Sequence, residues 1–251
     1  MELQTILLTQ HTDYLYELTI NRPNVKNALN DQVIQELTDA LQHLEQIQAR
    51  VVILKGAEAN FVAGADIKMM ESAPIEVIEQ FLGEVGQLHD AIKKSPIIWI
   101  AAIEGYCLGG GLELALATDI RVLSENATLG FPEIKLALLP GGGGTQRFLK
   151  LSGSAFANHF ILTGEHFTSI KALEMGIVSE VVSDVHSRAF KIAEKIIRHD
   201  VTATTAIKQL ISTIENDEIQ QGLQKEREKF VSLFNVGQAK QGLKDFLESR
   251  V

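Results

Sequence analysis

The sequence has a single cysteine, Cys107, among its 251 residues. That excludes an internal disulfide, and with no CxxC and no Cys/His cluster there is no zinc site to expect. A basic surplus is also missing. Lys and Arg number 23 against 32 Asp and Glu, a formal charge of −9, which is the wrong sign for neutralising a phosphate backbone. The longest strongly apolar run, Ile97 to Ile103, has seven residues, far below the ~20 needed to span a bilayer. The opening MELQTILLTQHTDY has no basic segment ahead of its short Ile6-Leu7-Leu8, so no signal peptide is expected. These absences give the expectation of a soluble, cytoplasmic protein without nucleic-acid or membrane partners.

What is present is an ordinary globular balance, 45% hydrophobic and 22% charged, enough for one large domain or one with a small appendage. Tyr14 to Ile20 is rich in strand formers and ends at the breaker Asn21-Arg22-Pro23. From Asn30, a good N-cap, Val33, Ile34, Leu37, Leu41, Leu44 and Ile47 follow helical spacing. Val51 to Leu54 reads as a buried strand closed by Gly56. A mobile-looking stretch around Ala63-Gly64-Ala65 leads into a helical region reaching Lys94. Ile97 to Ile103 is a second buried strand, and Gly105 to Gly111 a glycine-rich turn. A compact helix over Leu112 to Ala117 comes next, then strand signals at Asp119 to Leu123 and Ala127 to Leu129. Thr168 to Met175 reads as a helix stopped by Gly176, with Ile177-Val178 beginning a last strand.

Strands alternating with helices argue for an α/β fold. The pattern changes near Asp184. Beyond it the chain reads as helical, with Ile192, Ile196, Ile207, Leu210, Leu223, Phe230, Phe234 and Phe246 apolar and no proline. The expected division is a core over 1–184 and a helical appendage over 185–251.

Two places could carry chemistry. In Ile100 to Glu113 a buried strand delivers the chain to three glycines, Gly109-Gly110-Gly111, that open a helix. Glycine amides can approach a ligand oxygen closely, and a helix N-terminus adds unpaired donors, so the turn suits an oxyanion hole or anion pocket. Glu113 lies about one turn above Gly110, where a carboxylate could exchange protons with whatever that amide polarises. The other place is Gly130-Phe131-Pro132-Glu133, followed by Pro140 and four glycines, Gly141 to Gly144. Local sequence leaves blander readings open: the glycines can serve close packing or helix entry, Glu113 can favour a helix start, and Glu133 can be a solvated acid. Cys107 has no basic neighbour and reads as a small packing residue. Neither GxxxxGK[ST], GxSxG nor HExxH occurs, and GxGxxG does not follow a strand.

Taken together these segments resemble the crotonase superfamily, in its enoyl-CoA hydratase/isomerase family. The matching stretches are Asn21-Arg22-Pro23 with Asn27 to Asn30, Phe61 to Lys68, Ile100 to Glu113, Gly130 to Glu133, Pro140 to Arg147 and Thr168 to Val178. The likeness runs from about Leu15 to Leu247. It implies a spiral of ββα units with a C-terminal helical subdomain that builds a homotrimer or a hexamer of paired trimers. It implies hydration of the 2,3-double bond of a 2-enoyl-CoA thioester, as in fatty-acid β-oxidation, with coenzyme A as part of the substrate and no separate cofactor or metal. By the resemblance the oxyanion hole maps onto the amides of Ala65 and Gly110, and the catalytic carboxyls onto Glu113 and Glu133. The former's counterpart activates water and the latter's protonates C2. Substrate contacts map onto Lys26, Ala28, Ala63, Ala65, Asp66, Ile67, Lys68, Gly110 and Gly141, with Gly144 beside the water. Within the family the alternative is a double-bond isomerase, which commonly keeps only one of the two Glu positions. The alternative outside enzymes is a non-catalytic RNA-binding relative, which the negative charge disfavours.

Overall fold

The computed structural model describes residues 3–235 and 238–248. The outer ends of the two expected divisions, 1–2 and 249–251, lie outside the described residues. β1 (Ile6–Gln10) pairs antiparallel with β2 (Leu15–Ile20). Parallel to β2 run β3 (Val51–Gly56), β4 (Ile98–Ile103), β6 (Ile120–Ser124) and β9 (Glu180–Val182), in the order β1-β2-β3-β4-β6-β9. The interior strand β4 is buried at every position. Trp99, Ala101 and Ile103 face one apolar cluster, and Ile98, Ile100 and Ala102 face another. A parallel strand covered on both faces must be apolar throughout rather than alternating, which is why this run stands out in the sequence.

The repeating unit emerges from the second, smaller layer. After β2, Leu29 makes a parallel bridge to Ala65, and α1 (Asp31–Gln46) follows. Beyond β3 it is Val62 that bridges in parallel to Cys107, ahead of α2 (Ile67–Ser72) and α3 (Ile75–Lys94). β4 is succeeded by β5 (Tyr106–Leu108) and α4 (Gly110–Ala117), and β6 by β7 (Thr128–Gly130) and then α5 (Gly144–Ser152). β5 pairs with β7 in parallel, and β7 with β8 (His166–Thr168) antiparallel. Each turn of the chain therefore gives one segment to the large sheet, one to the small layer, and then a helix. This is the expected spiral of ββα units.

Local chemistry sets the boundaries. The Asn30 side chain accepts the Val33 amide at 3.1 Å and starts α1 as the sequence suggests. The stretch around Gly64 is pinned rather than loose: the Leu29 amide donates to the Gly64 carbonyl at 2.9 Å, and the Asp66 amide to the Leu29 carbonyl at 2.7 Å. α6 (Ser154–Thr163) and α7 (Ser169–Glu174) complete this part. The last strand differs from expectation. Ile177 and Val178 are buried loop residues ahead of it, and pairing with β6 begins at Glu180.

The helical C-terminal stretch packs in two ways. α8 (Val185–Ile197) lays Val185, Ala189 and Ala193 on the sheet face formed by Leu15, Val51, Ile53, Ile100 and Val122. α9 (Val201–Asn235) is tied to the sheet by buried Lys208, whose Nζ donates to the Ile92 and Ile97 carbonyls at 2.9 and 2.6 Å and to Asp119 at 2.8 Å. Three acceptors satisfy the three donors of an ammonium, although burial lowers its pKa. Farther along, Phe230 and Phe234 join Ala239 and Leu243 of α10 (Gln238–Glu248) against Met70, Ile78, Leu82, Leu136 and Leu138. The C-terminal helices thereby reach the mouth of the strand-to-helix turns.

Candidate active site

The N-terminus of α4 is the centre of the site. Gly109, its N-cap, sits at φ 50°, ψ −123°, a conformation that glycine adopts at low cost. A Cβ there would lie 2.7 Å from Glu133 Oε1, so the turn needs glycine for both shape and space. Gly110 then occupies the first helical position, where an amide has no intrahelical acceptor. The Leu29–Ala65 bridge uses the Gly64 carbonyl and the Asp66 amide, leaving the Ala65 amide on the other side of its strand. Among the described residues neither amide has an acceptor, and the two are neighbours: a Cβ built on Gly110 would lie 3.7 Å from Ala65 N and 3.9 Å from Glu113 Oε2.

Glu113 is buried, and its Oε1 accepts the amides of Gly142 and Gly144 at 2.8 and 2.7 Å. One oxygen is thus anchored while the other faces Gly110. Burial raises its pKa, opposed by those two amides and by the Arg147 cation. Glu133 stands on a 3-10 turn over Pro132–Leu136 that ends at Ala137 in the left-handed region, φ 57°. Its Oε2 is buried without a hydrogen-bond partner among the described residues. Burial first, then the negative charge of Glu113, pushes the Glu133 carboxyl well above the usual range. Two carboxyls whose surroundings drive them apart are the pattern of an acid and base pair. Glu113, with anchoring amides and a nearby cation, is the one favoured as carboxylate.

These groups line one cleft together with Leu29, Ala63, Gly64, Ile67, Gly109, Gly141 and Gly142. Met70, Phe81, Leu82, Val85, Leu136, Leu138 and Phe230 give it apolar walls. Of the residues mapped from the sequence, Ala63, Ala65, Ile67, Gly110, Glu113, Glu133 and Gly141 meet here. Lys26, Ala28, Asp66 and Lys68 do not line the cleft. Lys26 is in the left-handed region, φ 52°, with its ammonium 4.4 Å from the Tyr106 ring centroid. The Ala28 carbonyl accepts from Arg22 Nη1 at 2.6 Å, and Asp66 caps α2 and binds Arg22 Nη2 at 2.9 Å. Lys68 is exposed on α2. Gly144 is the second donor to Glu113.

Sequence reasoning missed two groups of residues. One is Phe230, from α9. The other is the set that holds the glycine loop from behind: His89 Nδ1 and Arg147 Nη1 each lie 2.8 Å from the Gly142 carbonyl, and Glu226 accepts the Gly143 amide at 2.6 Å. Burial, reinforced by Arg147, lowers the His89 pKa to about 3, so the ring is neutral and Nδ1 carries the proton it donates. Among the described residues no group of three or more His, Cys, Asp or Glu is placed to hold a metal ion, and none of the helices is long and apolar enough to cross a membrane.

Comparison with known proteins identifies the family. The family model described as enoyl-CoA hydratase/isomerase matches residues 11–251. A probable mitochondrial enoyl-CoA hydratase of Dictyostelium discoideum is 37% identical, over 93% of this chain and 84% of its own length. A short-chain-enoyl-CoA hydratase of Clostridium acetobutylicum is 36% identical, over 100% of this chain and 97% of its own. In three dimensions the chain superposes on the crystal structure of an enoyl-CoA hydratase from Bacillus anthracis with a TM-score of 0.82 and 35% identity, covering 91% of each chain. The ββα spiral is the crotonase fold, and the chain belongs to the enoyl-CoA hydratase/isomerase family.

Proposed function

We propose that this protein is an enoyl-CoA hydratase in which Glu113 and Glu133 act as base and acid on a thioester held by the amides of Ala65 and Gly110. The observation that supports it best is convergence. Two carboxyls in unlike surroundings and two unused amides line the same cleft. Adding water to a conjugated thioester moves negative charge onto the thioester oxygen, where two preorganised amides lower its energy. Glu113 takes a proton from water as its oxygen bonds to C3, and Glu133 delivers a proton to C2, yielding the 3-hydroxyacyl thioester. Atoms balance with no metal or separate cofactor. An isomerase needs to move only one proton between carbons, so a second buried carboxyl in the cleft favours hydration.

Apolar walls suit an alkyl chain, and the cleft has a cavity volume of about 90 Å³. A short 2-enoyl group fits that space, and the reaction is of the β-oxidation type. Loss of the conjugated absorbance across a series of 2-enoyl-CoA thioesters tests this. The four-carbon thioester is expected to have the highest kcat/KM, and no hydration of any member would overturn the reading. Lys26 and Lys68, outside the cleft but near its entrance segments, are proposed to meet the coenzyme A portion. The free, buried thiol of Cys107 fits a reducing compartment, which we take to be the cytoplasm.

Assembly is part of the same proposal. Val201, Ile207, Leu210 and Ile211 lie exposed on α9, Leu210 at 70%, an apolar stripe of the kind that other subunits cover. We expect a homotrimer or a dimer of trimers built through the 185–251 stretch. Light scattering that found a monomer at micromolar concentration would contradict it.

A further inference from the structure

The loop that holds Glu113 is itself held between two carboxyl groups. Its amides point alternately to opposite sides. Gly142 and Gly144 donate to Glu113 at 2.8 and 2.7 Å, whereas Gly143 and Thr145 donate to Glu226 at 2.6 and 2.8 Å. The Thr145 hydroxyl gives Glu226 a further hydrogen bond. Gly143 reaches this alternation at φ 105°, a region open to glycine. The Gly142 carbonyl is fixed as well, by His89 and by Arg147, whose other nitrogen meets Asp90 at 3.1 Å. Glu226 is only 5% exposed. A carboxyl taken out of water is costly unless its oxygens are satisfied, and among the described residues the donors that satisfy it all come from this one loop.

We propose that Glu226 is a positioning residue for the hydration: from α9, more than a hundred residues after Glu113 in the chain, it orients the Gly143 and Thr145 amides and thereby aims those of Gly142 and Gly144 at the Glu113 carboxylate. The inference rests on the reading of Glu113 as the base that activates water. It also gives the C-terminal helix a part in the chemistry beyond closing the cleft with Phe230. The simpler possibility is a helix cap, since Gly143 to Thr145 form the start of α5. A cap would contribute to stability and leave the reacting groups alone.

The charges around Glu226 distinguish the two. Glu113 faces it from α4 across the loop, and Arg147 from α5. His89, Asp90 and Glu79 come from α3, Lys225 and Arg227 precede and follow it on α9, and Glu228 lines the same cavity. Burial, then the charge of Glu113, pushes Glu226 up to about 8. Once ionised, Glu226 in turn raises Glu133, after the larger effects of burial and Glu113. Removing that charge lets Glu133 lose its proton at lower pH.

The test uses the full-length enzyme and 2-butenoyl-CoA. Glu226→Gln keeps the volume but replaces one of the two acceptor oxygens with a donor. It is expected to lower kcat by roughly 10–10²-fold, the scale of a small misplacement of reacting groups, with KM within about threefold. The basic limb of the kcat/KM profile should move to lower pH, and Glu226→Asp should recover part of kcat. Thr145→Val, which replaces the hydroxyl with a methyl of similar size and leaves the amide, gives a smaller loss of kcat and keeps the test open if Glu226 variants fold poorly. Folded Glu226→Gln with wild-type kcat and pH profile, changed only in melting temperature, would make Glu226 a cap and overturn the proposal. If wild-type protein hydrates no enoyl-CoA, the hydratase reading fails and takes this inference with it, an outcome visible before any variant is made.

Discussion

Glu113→Gln and Glu133→Gln are each expected to lower kcat by roughly 10²–10⁴-fold, the usual worth of a positioned base or acid. The carboxamide at 113 still offers an oxygen to the amides of Gly142 and Gly144, so the loop keeps its place, but it cannot take a proton from water. At 133 the carboxamide fills the same space beside Gly109 and cannot deliver one to C2. Binding of the thioester should change far less than turnover, because neither group carries the contacts that hold coenzyme A. The pH profile separates the roles. A base must be ionised, so activity rises with pH through the Glu113 pKa; an acid must be protonated, so activity falls as pH passes the raised pKa of Glu133. Two carboxyls this close titrate as a pair, but each variant should remove one limb: the acidic limb in Glu113→Gln and the basic limb in Glu133→Gln. Wild-type-like hydration by either variant would sink the two-acid mechanism.

How much of this was legible in the sequence depended on how locally each feature is encoded. β4 announced itself because burial on both faces demands an unbroken apolar run, and α1 because Asn30 caps a 3.6-residue pattern. The Gly109 to Glu113 turn was legible because backbone shape, free amides and carboxyl sit within five residues. β5, β7 and β8 were not read as strands of one sheet, because three residues are too few to show a period of two. The bridges at Leu29 and Val62 are single residues with no pattern of their own. Placing the last strand at Ile177 followed from its apolar side chains, which are buried in the loop before the ladder starts. The contrast between Glu113 and Glu133 needed three-dimensional surroundings, since burial and neighbouring charge set it. Glu226 was the least visible. It lies in Lys225-Glu226-Arg227-Glu228-Lys229, a run that reads as a solvated face, and only the fold brings it to the glycine loop.

Gly110→Pro should cost ~2.7–4 kcal/mol of transition-state stabilisation, the usual worth of one oxyanion donor, or roughly 10²–10³-fold in kcat/KM. The position makes the substitution unusually clean. Gly110 is the first residue of α4, with Gly109 as its cap, and proline is at home there because the missing N–H has no helical partner to lose. The residue before a proline is normally restricted by its Cβ, a restriction that glycine at 109 partly escapes. Gly110→Ala is the companion variant. Its methyl would meet Leu29 Cδ1 at 3.5 Å, Ala65 N at 3.7 Å and Glu113 Oε2 at 3.9 Å, ordinary contact distances, so the protein accommodates it while the amide remains. Any loss in the alanine variant measures crowding by a Cβ, and the further loss in proline measures the lost hydrogen bond together with the ring Cδ that takes the place of the amide hydrogen. Circular dichroism and oligomer size establish that both variants fold. Well-folded Gly110→Pro within about threefold of wild type in kcat/KM, far less than the energy implies, would remove the Gly110 amide from the mechanism and leave Ala65 to hold the thioester oxygen alone.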